Sequence, residues 1–198
     1  MLSSVTYNLK SAVEITAEKM DGILKEKGSV RVAVDGRCGS GKSTFAGLLK
    51  EKFDCNLFCM DDFYLPPEKR TEERYNEPGG NVDRERFLKD VLEPAAKGET
   101  VFYGVYDCST QRINEPVKIP PKNVIITEGS YSCHPELFDF YDLHIFLTVP
   151  PKVQMERIIN RNGEAEAEKF KNKWIPLEEI YFRYFKIQEK CDIIMELI

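Results

Sequence analysis

The sequence predicts an α/β fold in which helices cover both faces of a parallel β-sheet. Short apolar runs typical of strands alternate along the 198 residues with longer segments in which apolar residues recur every three or four positions. The runs at 124–127 and 143–149 are almost entirely apolar, as expected for central strands that are buried on both faces. Such alternation is typical of parallel-sheet domains. We therefore expect a single three-layer α/β/α domain over residues 1–198, with a five-stranded parallel sheet.

Periodicity and turn residues predict the elements at the N-terminal end. Residues 1–28 are expected to form a helical extension, because apolar side chains recur at helical spacing from Leu9 to Leu24 and Gly28 can end the helix. The next expected elements are a strand at 30–34, a glycine-rich turn, a helix to about Phe53 and a strand at 56–60.

The rest of the chain continues the same alternation. The expected elements are a helix at 83–96, short antiparallel strands at 101–106 and 117–119, strands at 124–127 and 143–149, a helix at 151–161, a lid-like loop at 162–175, a helix at 176–190 and a last strand at 192–197. Asp83 can cap the first of these helices, and Pro151 suits the first turn of the second. The loop is expected because most of its residues are charged, and such a segment can act as a lid or be merely solvated.

The charge of the chain excludes a protein that coats nucleic acid. There are 28 Lys and Arg against 33 Asp and Glu, a formal net charge of −5, so no broadly basic surface attracts a phosphate backbone. No apolar run approaches the roughly 18–20 residues that span a bilayer, and the N-terminus lacks the pattern of a secretory signal. We expect a cytoplasmic protein with free thiols and no membrane partner; a homo-oligomer is compatible with the sequence.

A phosphate-binding motif follows the strand at 30–34. Residues 36–43, GRCGSGKS, fit the pattern G-x-x-x-x-G-K-[ST] between a predicted strand and a predicted helix. The glycines allow a tight turn whose backbone N–H groups face a phosphate, and the helix N-terminus adds positive charge. The predicted phosphate-binding residues are Gly36, Gly39, Ser40, Gly41, Lys42, Ser43 and Thr44. The motif predicts a P-loop NTPase fold that binds ATP, with Lys42 on the β- and γ-phosphates and Ser43 on Mg²⁺.

Among P-loop proteins, the sequence favours a small-molecule kinase. It has no N-K-x-D motif for guanine and no D-x-x-G switch motif, and it is short for a motor ATPase. Asp61 and Asp62 follow the second strand, at the sheet edge where α/β domains bind ligands. Asp61 is the candidate base for an attacking hydroxyl and a candidate metal contact, whereas Asp62 could assist a metal-bound water. Capping of a turn is the alternative for both acids.

Charged residues after later strands extend this candidate site. Glu128 ends the strand at 124–127 like a Walker B carboxylate, where it can hold Mg²⁺ or contact substrate; a solvated strand end is the alternative. Arg157 and Arg161 are four residues apart on one helix face, so both can reach the same phosphates. Arg161 also suits a helix C-terminus, where the helix dipole favours a cation.

The motifs occur in the order found in the uridine kinase-like P-loop kinases, which the chain resembles from about Val30 to its end. They are DGRCGSGKST at 35–44, MDDFYL at 60–65, GGNVDRERF at 79–87, VYD at 105–107, IITEG at 125–129 and the arginines at 157 and 161. The resemblance implies that Asp61 is the base for a nucleoside 5′-hydroxyl and that Asp83 binds the ribose hydroxyls. It also implies that Tyr106, with Phe63 or Tyr64, borders the nucleoside base.

The resemblance further assigns Mg²⁺ to Ser43 and Glu128, and the phosphates to the two arginines. Uridine–cytidine kinases usually carry a His shortly after the VYD segment, whereas residues 108–112 contain none. Gln111 is then a candidate for contacting a base, and Arg112 for contacting a carboxylate or phosphate of the substrate.

We therefore predict an ATP- and Mg²⁺-dependent kinase that phosphorylates a small molecule at a nucleoside 5′-hydroxyl, with uridine or cytidine as the leading substrates. Phosphoribulokinase and pantothenate kinase share the phosphate loop and the strand-end acid. Two alternatives therefore stay open: a kinase for another alcohol, such as pantothenate, nicotinamide riboside or a sugar, and a non-catalytic regulator that binds ATP.

Overall fold

The computed structural model describes residues 6–198, which form a mixed structure of one large sheet, two short hairpins and surrounding helices. The strands are β1 (Thr6–Tyr7), β2 (Val30–Gly36), β3 (Cys55–Cys59), β4 (Val101–Tyr103), β5 (Tyr106–Asp107), β6 (Arg112–Ile113), β7 (Val117–Ile119), β8 (Val124–Glu128), β9 (Leu143–Thr148) and β10 (Ile193–Leu197).

The helices alternate with these strands. They are α1 (Leu9–Lys27), α2 (Lys42–Lys52), α3 (Glu72–Asn76), α4 (Arg84–Phe87), α5 (Glu93–Ala96), α6 (Pro135–Phe138), α7 (Pro151–Asn162), α8 (Glu164–Lys169), α9 (Ile175–Phe185) and α10 (Ile187–Lys190). Short 3₁₀ turns lie at Met60–Phe63 and Pro67–Lys69, and π-helical turns lie at Leu88–Leu92 and Phe170–Trp174.

The large sheet is parallel and has the strand order β1-β10-β9-β2-β8-β3. The five longer strands of this sheet are the five that the sequence predicts, namely β2, β3, β8, β9 and β10. The sixth strand, β1, was not predicted and raises the count from five to six. Only Thr6 and Tyr7 pair with Glu196 and Leu197, and a strand of two residues has no periodicity that a sequence could reveal.

Two hydrophobic clusters, one on each face of the sheet, confirm the three-layer α/β/α architecture. One cluster joins Met20 of α1 and Phe45 of α2 to β2 and β8, and the other lies under α4, α9 and the π-helical turn between α4 and α5. Neighbouring residues of β8 face opposite sides, since Ile126 belongs to the first cluster and Ile125 to the second. Because α1 supplies part of the first cluster, this predicted extension belongs to the packed core.

The segment predicted as a loop at 162–175 is helical, so the expectation of a loop is wrong for this part of the chain. Gly163, at a φ of 81°, ends α7, and α8, the π-helical turn and α9 then continue almost without interruption. The charged residues are good helix formers, and Lys169 pairs with Glu166 one turn away. The high charge content of residues 162–175 predicts irregular structure, but it is equally typical of an exposed helix face.

Two short antiparallel hairpins lie beside the main sheet. β4 pairs with β7, which confirms the predicted pairing of 101–106 with 117–119, and β5 pairs with β6. The predicted helix at 176–190 is divided by Lys186, whose φ of 54° separates α9 from α10. Among the helices within residues 6–198, none combines the length and apolarity needed to cross a membrane.

Candidate functional site

A cavity of about 710 Å³ opens at the carboxyl ends of β2, β3 and β8. Because these strands are parallel, their carboxyl ends meet at one edge of the sheet, where ligands of open α/β folds bind. The lining residues are Cys38, Gly39, Gly41, Lys42, Ser43, Thr44, Asp61, Tyr64, Asn81, Val82, Cys108, Glu128, Gly129, Ser130, Tyr131, Arg157, Arg161, Phe170, Trp174 and Glu178. One cavity therefore brings together residues that lie up to 140 positions apart.

Glycines shape the phosphate loop at residues 36–43. Gly36 has a φ of 136°, and a Cβ atom there would lie 2.0 Å from the backbone oxygen of Leu147. Gly39 and Gly41 also have positive φ values, of 73° and 96°. Residues that carry a side chain rarely adopt this backbone conformation. The spacing of the glycines in the sequence therefore meets a physical requirement of the turn.

Several backbone amides of the loop are free to bind an anion. The amide of Arg37 donates to the oxygen of Leu147, and that of Cys38 to the carboxylate of Glu178. Within residues 6–198, the amides of Gly39, Gly41 and Lys42 donate to no protein acceptor. They surround the N-terminus of α2, where unpaired N–H groups and the helix dipole favour an anion.

Lys42 lies against this loop. Its Nζ donates to the backbone oxygens of Gly36 at 2.7 Å and Arg37 at 2.9 Å, and only 8% of the residue is exposed. The ammonium group therefore supplies positive charge at the loop, in a partly desolvated environment where that charge acts more strongly than in water.

Ser43 and Glu128 bring two oxygen donors together beside the loop. The Ser43 hydroxyl donates to Oε1 of Glu128 at 3.1 Å, and the Cys59 thiol contacts the same oxygen. Burial raises the pKa of Glu128, while Lys42 and these hydrogen bonds oppose the increase. Gly129 has a φ of 132°, and a Cβ there would lie 2.8 Å from Cβ of Met60, so the chain turns sharply after the carboxylate.

The donor set fits Mg²⁺ rather than a softer metal. Magnesium prefers oxygen ligands and usually keeps several waters while one or two protein groups and substrate phosphates hold it. Ser43 and Glu128 are such groups, and Asp61 lines the same cavity. Among the described residues there is no group of three or more His, Cys, Asp and Glu that could hold a metal on its own.

The two neighbouring aspartates have different surroundings. Asp61 lines the cavity, as the candidate base must. Asp62 accepts a hydrogen bond from the Tyr103 hydroxyl at 3.1 Å, and burial raises its pKa. Asp62 is therefore already engaged on the far side of the Met60–Phe63 turn, whereas Asp61 is available to a ligand.

Arg157 and Arg161 both line the cavity, as their spacing on one helix face predicts. Nη1 of Arg157 lies 3.4 Å from the oxygen of Gly39 and 3.5 Å from that of Ser40, at the limit of hydrogen bonding. The Arg161 guanidinium lies 5.7 Å from the ring centre of Phe170. Arg157 therefore lies beside the phosphate loop, and Arg161 adds a second cation to the same cavity.

Aromatic side chains form another part of the cavity wall, which we call the aromatic wall. Tyr64 packs against Tyr106 with ring centres 5.9 Å apart and against Trp174 at 5.8 Å. Arg70, which sequence reasoning missed, stacks on Tyr64 at 5.1 Å and donates to the Tyr106 hydroxyl at 2.6 Å. Tyr64 and Trp174 line the cavity, and Tyr106 packs behind them.

Three predicted substrate contacts do not line the cavity: Tyr106, which packs against Tyr64, and Arg112 and Asp83. Arg112 is exposed in β6 and does not line the cavity, although Cys108 in the turn of the same hairpin does. Asp83 is 1% exposed; both its oxygens accept hydrogen bonds from Lys69 at 2.9 Å, and it caps α4 through the Arg86 amide. Asn81 and Val82, just before Asp83, line the cavity instead. The capping alternative for Asp83 is thus realised in the structure.

Sequence reasoning also missed polar residues on the cavity wall. Glu178 is 5% exposed and accepts hydrogen bonds from the Cys38 amide at 2.9 Å and the Ser130 hydroxyl at 2.6 Å. Tyr131 has a φ of 79°, a conformation that is uncommon for a non-glycine residue and frequent at functional sites. A glutamate in an amphipathic helix gives no sequence signal of such a role.

Comparisons with known proteins agree with this arrangement. A family model described as an AAA domain matches residues 32–173. Uridine kinase of Ligilactobacillus salivarius (strain UCC118) is 30% identical over 156 residues, which cover 72% of this chain and 71% of that protein. Uridine kinase of Clostridium perfringens (strain 13 / Type A) is 28% identical over 153 residues, covering 70% of this chain and 73% of that protein.

A solved structure described as a possible uridine kinase from Bacillus stearothermophilus shares the fold. Its TM-score is 0.70 at 19% sequence identity, and the superposition covers 94% of this chain and 98% of that one. The phosphate loop, the strand-end acids and the arginine pair thus occur in a chain whose sequence and fold both match one group of kinases. The chain belongs to the uridine kinase-like family of P-loop kinases.

Proposed function

We propose that this kinase uses ATP and Mg²⁺ to phosphorylate the 5′-hydroxyl of a nucleoside, with uridine or cytidine as the preferred acceptor. The observation that carries the proposal is the meeting of Lys42, Ser43, Glu128 and Asp61 in one cavity. Phosphoryl transfer needs cations on the transferred group and a base beside the attacking oxygen, and this cavity contains both.

On the donor side, the chain binds the phosphates through backbone and cationic groups. The free amides of Gly39, Gly41 and Lys42 donate hydrogen bonds to the phosphate oxygens, and the Lys42 ammonium neutralises charge on them. Arg157 and Arg161 add two guanidinium groups from α7. These donors are held by the fold before the substrate arrives, so little reorganisation opposes charge development during transfer.

Ser43 and Glu128 would hold Mg²⁺, and the ion would neutralise part of the charge on the phosphates. Glu128 is half of this pair because its carboxylate already lies at hydrogen-bonding distance from the Ser43 hydroxyl. Its buried position also limits the number of waters that compete for the carboxylate.

On the acceptor side, Asp61 orients the hydroxyl and accepts its proton as the oxygen attacks the γ-phosphorus. The wall formed by Tyr64 and Trp174 offers aromatic surface on which a planar base can stack. The names of the relatives from L. salivarius and C. perfringens favour uridine as the first acceptor to test.

A different alcohol acceptor is favoured by one observation, the engagement of Asp83 with Lys69. A carboxylate whose oxygens both pair with a lysine is less available to ribose hydroxyls, and a molecule without a ribose needs no such group. Pantothenate and sugars without a ribose unit are such molecules. Nicotinamide riboside, which does contain a ribose, completes the set of other acceptors to include.

An ADP-release assay with a panel of nucleosides, vitamins and sugars tests the proposal. We expect ATP turnover that depends on Mg²⁺ and is stimulated most by uridine or cytidine. Stimulation only by a non-nucleoside would keep the kinase and replace the acceptor. Tight ATP binding without acceptor-stimulated ADP release across the panel would instead identify a non-catalytic regulator.

A further inference from the structure

Glu178 is a buried carboxylate that joins three parts of the site. It lies in α9, and its Oε2 accepts the Cys38 amide of the phosphate loop at 2.9 Å. Its Oε1 accepts the hydroxyl of Ser130, two residues beyond Glu128, at 2.6 Å. One side chain thus connects α9 to the phosphate loop and to the segment that follows the Glu128 carboxylate.

This carboxylate has no ion-pair partner among residues 6–198. A buried negative charge is costly unless hydrogen bonds and geometry compensate for its lost hydration. The two short hydrogen bonds to Cys38 and Ser130 provide that compensation. The position of Glu178 therefore depends on the positions of the loop and of Ser130, and theirs depend on Glu178.

The helix that carries Glu178 also lies next to the part of the cavity wall formed by Tyr64 and Trp174, which is the proposed acceptor wall. Trp174 immediately precedes α9 and contacts Tyr64 with ring centres 5.8 Å apart. Further along α9, the Tyr181 hydroxyl donates to Asp35 at 2.8 Å, and Glu179 pairs with Arg37 at 2.8 Å. The helix is thus anchored at the phosphate loop while its N-terminal end forms part of the aromatic wall.

We propose that Glu178 is a positioning residue that couples occupation of the phosphate loop to the placement of Trp174 on the acceptor wall. When phosphates bind the free amides of the loop, the Cys38 amide and its hydrogen bond to Glu178 adjust, and α9 carries the adjustment to Trp174. This inference rests on the proposed function, because it requires that the loop binds phosphates.

Trp174 is itself the reporter, since it is the single tryptophan of the chain. The probe is inorganic tripolyphosphate with Mg²⁺, which has no base that could stack on Trp174. Calorimetry gives its Kd, and Trp174 emission gives the response of the acceptor wall. In the unaltered protein we expect a saturable emission change that is half-maximal at the Kd measured by calorimetry.

Three substitutions separate reach from charge at position 178. Glu178→Gln keeps an oxygen for the Cys38 amide without the charge, and should keep the emission change. Glu178→Asp keeps the charge but is one methylene too short to reach both partners. Glu178→Asp and Glu178→Ala should therefore lose the emission change, while binding tripolyphosphate only about 3- to 10-fold more weakly.

Arg183→Ala is the matched control, because Arg183 is exposed on the same helix and its Nε bonds only to the backbone oxygen of Glu179. It should leave both binding and emission unchanged. An emission change that survives in Glu178→Ala, or in Glu178→Asp if the alanine variant does not fold, overturns the coupling. Loss of the change in Glu178→Gln overturns positioning, because charge would then be the cause.

Lys42→Ala distinguishes failure of the coupling from failure of the proposed function. If tripolyphosphate binds the unaltered protein and this substitution abolishes binding, the phosphate loop is the binding site and only the Glu178 results decide the inference. If the unaltered protein does not bind, or if Lys42→Ala binds equally well, the proposed function fails and the inference fails with it.

Discussion

The phosphate loop and the aromatic wall both line one cavity, but they are held in different ways. The loop is fixed by backbone requirements and buried hydrogen bonds, such as the close approach of Gly36 to Leu147 and the bonds of Asp35. The wall is formed by side chains from distant segments, with the Arg70 guanidinium over the Tyr64 ring and Trp174 in an edge contact with that ring. Under the proposed function, phosphate binding would thus depend mainly on the backbone, whereas acceptor choice would depend on replaceable side-chain contacts.

We expect the largest loss of activity when the cation of the phosphate loop is removed. Lys42→Ala should lower acceptor-stimulated ADP release by about 10³-fold or more, because one preorganised donor to developing charge is lost. Steady-state kinetics with the best acceptor measures the loss. Lys50→Ala, at the other end of α2, should retain the activity. Near-normal turnover by Lys42→Ala would contradict the phosphate-binding assignment.

The next largest effect is expected where the two sides meet. Asp61→Asn should lower kcat by about 10²- to 10⁴-fold, since the amide cannot accept the hydroxyl proton, while ATP binding is retained. Asp62→Asn should have a much smaller effect on kcat, because Asp62 is bonded to Tyr103 away from the cavity. Calorimetry with ATP and single-turnover kinetics separate binding from chemistry. The reverse ranking of the two variants would assign the base to Asp62.

Asp35 tests the buried support of the loop through stability. Its oxygens accept the amides of Gly36, Tyr131 and Cys133 and the Tyr181 hydroxyl. Asp35→Asn places an N–H₂ group against two of these donors, so we expect a loss of about 2 kcal/mol in the free energy of unfolding at pH 7.

The pH dependence of that loss has a defined sign. Burial raises the pKa of Asp35 from 3.8 to about 6, so between these values the folded protein binds more protons than the unfolded chain. The contribution of Asp35 to stability therefore increases as the pH falls from 7 to 5, and Asn does not titrate. The destabilisation by Asp35→Asn should be about 1 kcal/mol larger at pH 5 than at pH 7 in urea unfolding. An equal loss at both pH values would contradict the raised pKa.

Substitutions on the aromatic wall should change acceptor binding without affecting phosphate binding. Trp174→Ala should raise the acceptor KM about 10-fold through loss of a stacking surface, with the KM for ATP nearly unchanged. Arg112→Ala is the control, because Arg112 is exposed and is not among the residues that line the cavity. An unchanged acceptor KM in Trp174→Ala, or a large increase in Arg112→Ala, would move the acceptor site toward the hairpin.

The smallest effect distinguishes the two interpretations of Asp83. If Asp83 acts as an N-cap paired with Lys69, Asp83→Ala should lower the free energy of unfolding by about 1–2 kcal/mol and leave the acceptor KM unchanged. If Asp83 binds ribose hydroxyls, the same substitution should instead raise the acceptor KM about 10-fold or more. Thermal unfolding and acceptor kinetics on the same preparation decide between them.

The reach of sequence reasoning follows the range of the interactions involved. The phosphate loop was predictable because its eight residues, 36–43, are contiguous and each glycine answers a local backbone requirement. The five long strands, of 5 to 7 residues each, were predictable because each contains a short apolar run. The two-residue strand β1 and the helical segment after Gly163 were not, because the first has no period and the second was classified by charge.

By itself, the sequence determined the α/β class, the phosphate loop and the strand-end acids Asp61 and Glu128, since these follow from short-range patterns and from strand polarity. Only the tertiary structure decided that Asp83 pairs with Lys69 and that Glu178 accepts the Cys38 amide, 140 residues away. Such contacts depend on how α9 and the segment around Lys69 pack against the sheet edge. No local pattern encodes that packing, because the same glutamate or lysine on an exposed helix would look identical in the sequence.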